Sequence, residues 1–153
     1  RNTRRQRQMC IRDRNATIAA QRIGKKRSAI KTTLLDQRFV VGVGNIYACE
    51  ALHRSGIAPT TPSNVLVRKN GAPTKRLERL VDEVKSVLNA AIAVGGSTLN
   101  DFAAVDGTLG YFGHHFQVYD REDGPCLKEG CNGAIERIVQ SNRSTFLCPR
   151  CQK

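Results

Sequence analysis

Tryptophan is absent from the 153 residues, aromatic residues make up 5%, and there is one methionine. Any core must therefore be built from Leu, Ile, Val and Ala. No apolar run approaches the ~20 residues that a membrane-spanning helix needs, so no membrane role is expected. The chain opens on charged residues without an apolar stretch behind them, which argues against a secretory signal and for a cytoplasmic setting. Acidic residues are scarce, 13 against 25 Lys and Arg, for a formal net charge of +12. That excess is larger than solubility requires and points to a polyanionic partner, nucleic acid before an anionic membrane surface. With 40% hydrophobic residues a folded core is affordable, so wholesale disorder is excluded.

The first fourteen residues, RNTRRQRQMCIRDR, have neither helical nor strand periodicity. One reading is a disordered basic arm. The expectation preferred here is that residues 4–14 are translated adapter from a transposase-based sequencing library, since the eleven residues back-translate in one frame to that adapter's sequence. The six Arg and one Asp of residues 1–14 contribute +5 of the +12, and the remaining +7 is still basic. Re-sequencing the locus and finding the same codons continuous with an upstream frame would overturn this.

From Asn15 the chain has the periodicity of a mainly helical domain. Residues 15–26 are weakly helical and are interrupted by the basic cluster Lys25, Lys26 and Arg27. Residues 29–36 carry Ile30, Leu34 and Leu35 on one face. The apolar connection FVVGVG leads to Asn45, which stands where an N-cap is expected, with a helix behind it ending at Ser55-Gly56. Residues 58–73 read as loop. Residues 76–93 form the clearest helix, with Leu77, Leu80, Val81, Val84, Leu88, Ala91 and Ile92 at i, i+3, i+4 spacing. Domain boundaries are expected near residues 119–124, giving 15–119 as the helical domain and 120–153 as a small cysteine-pinned unit.

Cys126 and Cys131 are spaced C-x4-C, and Cys148 and Cys151 C-x2-C. Between them lie two strand-like runs, 134–140 and 144–148, around Ser141-Asn142-Arg143. Two tight thiolate pairs flanking a hairpin suit one tetrahedral structural zinc, with no open position for catalysis. Two disulfides are the alternative, which a cytosolic setting disfavours. A segment this short buries too little apolar area to fold alone, so metal would supply much of its folding free energy. Cys49, alone in a helix, reads as a small core residue. The adjacent His114 and His115 are assigned no catalytic role.

The run AIKTTLLDQRFVVGVGNIYACEALHRSGIAP (residues 29–59) resembles the helix–two-turns–helix segment of bacterial formamidopyrimidine-DNA glycosylase. GGSTLNDF, DGTLGYF and the closing RSTFLCPRCQK are similar to its later segments and its zinc finger. The resemblance covers residues 15–153. It implies a helical DNA-binding domain followed by a zinc-bound β-hairpin finger, without the N-terminal β-sandwich that bears the family's proline nucleophile, glutamate and assisting lysine. It implies excision of oxidised purines such as 8-oxoguanine and formamidopyrimidines, and nicking of abasic DNA by β,δ-elimination, for the intact enzyme. Close alternatives are the related endonuclease VIII type, which removes oxidised pyrimidines, and a non-catalytic zinc-containing DNA-binding module.

The resemblance also assigns residues. Gly44 and Asn45 would bind a phosphate at a helix N-terminus, and Lys31 would contact a lesion-side phosphate or the damaged base. Arg143 would grip phosphate and assist δ-elimination. Asp106, Gly107, Thr108, Leu109, Gly110 and Tyr111 would form a lesion-capping loop over a flipped base. Cys126, Cys131, Cys148 and Cys151 would bind zinc. The expected partner is double-stranded DNA with a damaged or abasic site, bound by a monomer associated with the bacterial nucleoid.

Overall fold

The computed structural model describes residues 15–93 and 116–153. The expected capping loop at 106–111, His114 and His115 lie outside these residues, as does the stretch 1–14.

Four α-helices and one 3-10 turn precede a two-stranded hairpin among the described residues. Helix α1, Ala16–Ile23, is capped by Asn15, whose side chain accepts the Ile18 N–H at 2.8 Å. Its buried face is Ala19, Ala20 and Ile23. Helix α2, Ile30–Leu35, is only six residues long and buries Ile30 and Leu34. Helix α3, Asn45–Ser55, buries nine of its eleven residues and is the central strut. It ends at Gly56, whose φ of 74° lets its N–H turn back to the carbonyls of Leu52 and His53. The 3-10 turn Ser63–Leu66 interrupts the loop, and its Ser63 N–H donates to the Ser28 carbonyl.

Helix α4, Lys75–Ala93, presents Leu77, Leu80, Val81, Val84, Val87 and Leu88 to one core with α1, α2 and α3. Val87 lies beyond the stripe read from the sequence and widens the buried face. From Leu77 to Leu88 the apolar stripe is buried, as an amphipathic helix requires.

Strands β1, Glu136–Gln140, and β2, Arg143–Leu147, pair antiparallel with Gln140 opposite Arg143. The connecting pair Ser141-Asn142 has positive φ at both residues, 48° and 64°. This is the twist-compatible two-residue turn. Arg143 therefore begins β2 and flanks the turn, where the sequence reading had placed it within the tip. The strands also differ slightly in extent from 134–140 and 144–148.

A second apolar cluster, Val118, Ile135 and Phe146 with Cys49, Cys126 and Cys148, lies under the hairpin. Tyr119 joins the two cores: its ring stands edge-on to Phe116 at 5.9 Å and to Phe146 at 4.9 Å.

Candidate metal centre and nucleic-acid surface

Cys126, Cys131, Cys148 and Cys151 bring their four Sγ atoms within 4.8 Å of one another. Cys126 and Cys151 are 3.8 Å apart and Cys131 and Cys148 3.6 Å. Tetrahedral Zn–S bonds of about 2.3 Å give sulfur–sulfur edges of about 3.8 Å, whereas a disulfide needs ~2.05 Å. The spacing fits a metal and excludes the disulfide alternative, and all four cysteines are free. The knuckle has no spare room: a Cβ on Gly133 would sit 2.6 Å from Cys148 Sγ and 2.9 Å from Arg150 Cβ.

The local field favours thiolate at one position. The Gly133 N–H, 3.4 Å from Cys131 Sγ, pulls the Cys131 thiol down to about 7. Burial pushes Cys126 and Cys151 up. Four ionised sulfurs thus need a cation among them. Burial, with help from Lys128 and Arg54, lowers His53 to about 4, so its imidazole is neutral. His53 Nε2 lies 3.3 Å from Cys126 Sγ. A thiolate only accepts, which makes this nitrogen the protonated one and a support for the metal ligand.

Helix α3 fastens the finger at three levels. At its middle, the buried Glu50 carboxylate accepts the backbone N–H groups of Gln117, Val118 and Tyr119, which lead into the finger, at 2.7, 2.9 and 3.0 Å. One turn on, His53 meets Cys126. Past its end, Gln152 donates to the Ile57 carbonyl at 3.0 Å and accepts the Cys148 N–H at 2.7 Å. The Lys153 N–H donates to Gly56. Sequence reasoning missed Glu50, His53 and Gln152. Glu50 and His53 stand at i and i+3, a spacing that puts both on one face, yet a helical Glu ordinarily reads as solvent-facing.

Glu50→Ala would leave three N–H groups without their acceptor. At ~1–3 kcal/mol for each stranded donor that water cannot reach, the melting temperature should fall steeply. Glu50→Gln, keeping one oxygen, should lose less. Thermal denaturation of both variants checks the order.

The docked hairpin also gathers the expected DNA-contacting residues. Lys31 is 1% exposed, although a lysine is ordinarily a solvated residue. Its Nζ donates to Thr145 Oγ1 at 2.5 Å and to the Ser144 carbonyl at 3.4 Å. Desolvation lowers its pKa, and the Arg143 charge adds to that, while Cys49 opposes it. Asn45 Nδ2 donates to the same Ser144 carbonyl at 2.9 Å. The expected N-cap role is corrected here: Gly44 is the N-cap, Asn45 is the first helical residue, and no side chain caps the first turn. Asn45 is too far into the helix to cap it, and its amide instead reaches the hairpin. Its Oδ1 is buried without a partner. Lys31, Gln140, Ser141 and Arg143 line one open pocket of about 310 Å³ together with Thr32, Leu35 and Asp36. Cys49 is buried beneath the hairpin, outside the four-sulfur cluster.

Residues 9–103 match the family model described as the formamidopyrimidine-DNA glycosylase H2TH domain. The chain belongs to the formamidopyrimidine-DNA glycosylase family. Residues 124–153 match the zinc finger found in this glycosylase and in isoleucyl-tRNA synthetase, and the four cysteines are the ligands of one structural zinc. Similar glycosylases include that of Beijerinckia indica, 51% identical over 136 residues, covering 89% of this chain and 47% of that protein. That of Sinorhizobium fredii is 52% identical over 139 residues, covering 91% and 47%. The chain thus spans about half the length of the curated relatives it matches. Two solved structures of the Lactococcus lactis enzyme, one with abasic-site DNA and one with DNA containing FAPY-dG, each give a TM-score of 0.77 at 30% identity, covering 93% of this chain and 48% of theirs. Within the described residues no helix is long and apolar enough to cross a membrane.

Proposed function

We propose that residues 15–119 and the finger 120–153 form the DNA-gripping part of a base-excision glycosylase and abasic-site lyase for oxidised purines. Its intact form would nick the abasic strand by β,δ-elimination. The observation that carries this reading is the meeting of Lys31 and Asn45 on the Ser144 carbonyl, beside Arg143. Three segments distant in sequence supply a buried cation, an uncapped helix start and an exposed guanidinium to one surface. Such a surface suits phosphates flanking an extruded nucleotide. Neutral backbone donors at Gly44 and Asn45 allow close approach, and the guanidinium fork of Arg143 offers two parallel hydrogen bonds. The similarity to DNA-bound relatives supports the same partner, engaged here by a monomer at the nucleoid. Residues 106–111 would cap the flipped base.

The experiment is affinity for abasic duplex as a function of salt. Arg143→Ala should weaken binding by ~1.5–3 kcal/mol and reduce the salt slope by about 0.9 for the phosphate it releases. Asn45→Ala should weaken binding with an unchanged slope, because an amide displaces no counterion. Equal slopes in wild type and both variants would remove Arg143 from the phosphate surface. The 153-residue chain itself should neither excise 8-oxoguanine nor give a specific borohydride-trapped adduct, since the family's proline amine is not in it. Excision by the purified chain would refute that part.

A further inference from the structure

Charge is segregated along this chain. Residues 15–35 and 51–77 contain no Asp or Glu, yet hold Arg22, Lys25, Lys26, Arg27 and Lys31, and Arg54, Arg68, Lys69, Lys75 and Arg76. The fold lays the two stretches side by side. The Ile30 N–H donates to the Thr61 carbonyl, the Ser63 N–H to Ser28 and the Asn64 N–H to Lys26, at 2.7–2.9 Å. Gly24 approaches Val67, so that a Cβ there would lie 3.7 Å from a Val67 methyl. Directly after Val67 the chain makes a tight turn, with the Arg68 N–H donating to Ala72 and the Gly71 N–H to Arg68. Gly71 has a φ of 89°. The turn projects Arg68 and Lys69 beside the loop that bears Lys25, Lys26 and Arg27. All but the half-exposed Lys26 are exposed. None of the five forms an ion pair within the described residues. Asp36, whose carboxyl feels Lys26, is already held by Arg38 at 3.1 Å.

We propose that Lys25, Lys26, Arg27, Arg68 and Lys69 form a second phosphate-binding surface, which grips undamaged duplex beside the lesion site without reading sequence. This rests on the DNA-binding reading above. Arg27 and Lys31 are four Cα steps apart, a reach of at most about 14 Å along the chain. At 3.4 Å of rise per base pair, that is about four base pairs of the same duplex. A surface there supplies lesion-independent affinity, while the Lys31–Arg143 surface supplies preference for the abasic site. Cations outside any ion pair suit this role, because counterion release requires charge but no fixed geometry.

The test is fluorescence anisotropy of the full chain on an undamaged 20-base-pair duplex across salt concentrations. Replacing all five residues by Gln should cut the salt slope by about 3, for three or more phosphates at ~0.9 each. The ratio of abasic to undamaged affinity should stay within twofold. Arg68→Gln with Lys69→Gln should account for part of the loss. Arg79→Gln with Lys85→Gln on α4 removes the same charge elsewhere and should leave the slope unchanged. Circular dichroism confirms folding, and these surface changes remove no packed side chain. An unchanged slope in the five-fold variant would overturn the proposal, as would an equal loss in the α4 control. Loss of binding to anionic phosphatidylserine vesicles without loss on DNA would also overturn it. Failure of the wild-type chain to bind any duplex would instead sink the DNA-binding reading itself.

Discussion

Removing zinc with a chelator should melt the hairpin and its knuckles while much of the four-helix core persists. The finger's own apolar cluster is small, and structural zinc supplies apparent binding free energies on the order of 10–16 kcal/mol in isolated fingers. The helical core is a separate and larger cluster. The expected signature is loss of hydrogen-exchange protection in residues 136–147, with protection retained in α4. Cys148→Ser should give the same result without chelator. So should Gly133→Val, because a side chain there meets Cys148 Sγ at 2.6 Å. In each case Ser144 leaves Lys31 and Asn45, and affinity for abasic DNA should fall by at least a hundredfold. Retained protection in the metal-free hairpin would show that packing, and not zinc, holds it.

Lys31→Met separates stability from binding. The side chain is buried, and its ammonium is desolvated with few partners, so a similar-sized apolar side chain should leave stability within ~1.5 kcal/mol or raise it. Binding to abasic duplex should nevertheless drop tenfold or more, since the proposed phosphate surface loses the cation that holds Ser144 and Thr145. A pH signature accompanies this. The folded pKa of Lys31 lies below its ordinary 10.5. Between those two values the unfolded chain binds the proton more readily than the folded one. Stability contributed by this group therefore rises as pH is raised through that window and is lowest once both states are protonated. The Met variant should lack that component. Urea denaturation of both proteins from pH 7 to 10.5 compares them, and parallel curves would mean that Lys31 is solvated in the folded chain.

The zinc ligands were legible in the sequence because their information is local: two short spacings and a hairpin between them. The α4 stripe was legible because a 3.6-residue period marks a buried face wherever its partner lies. Lys31 was not, because its burial depends on Thr145, 114 residues away in the chain. Glu50 was hidden for the same reason, since its three partners are backbone N–H groups of a distant segment and leave no side-chain pattern. Asn45 shows the limit of local rules: Asn before an apolar helix reads as an N-cap, but Gly44 holds the cap position and the Asn45 amide reaches the hairpin.

The three-level attachment of the finger to α3 has a consequence for engineering. Residues 124–153 would carry their metal and hairpin into another protein, since the four ligands travel with them. Their aim would stay behind. The direction in which Arg143 points is set by Glu50, His53 and the carbonyl of Ile57, all supplied by the host helix and its exit. A transplanted finger would thus be a folded module without a bearing, and the smallest portable unit of the proposed DNA-binding surface begins at α2, which carries Lys31.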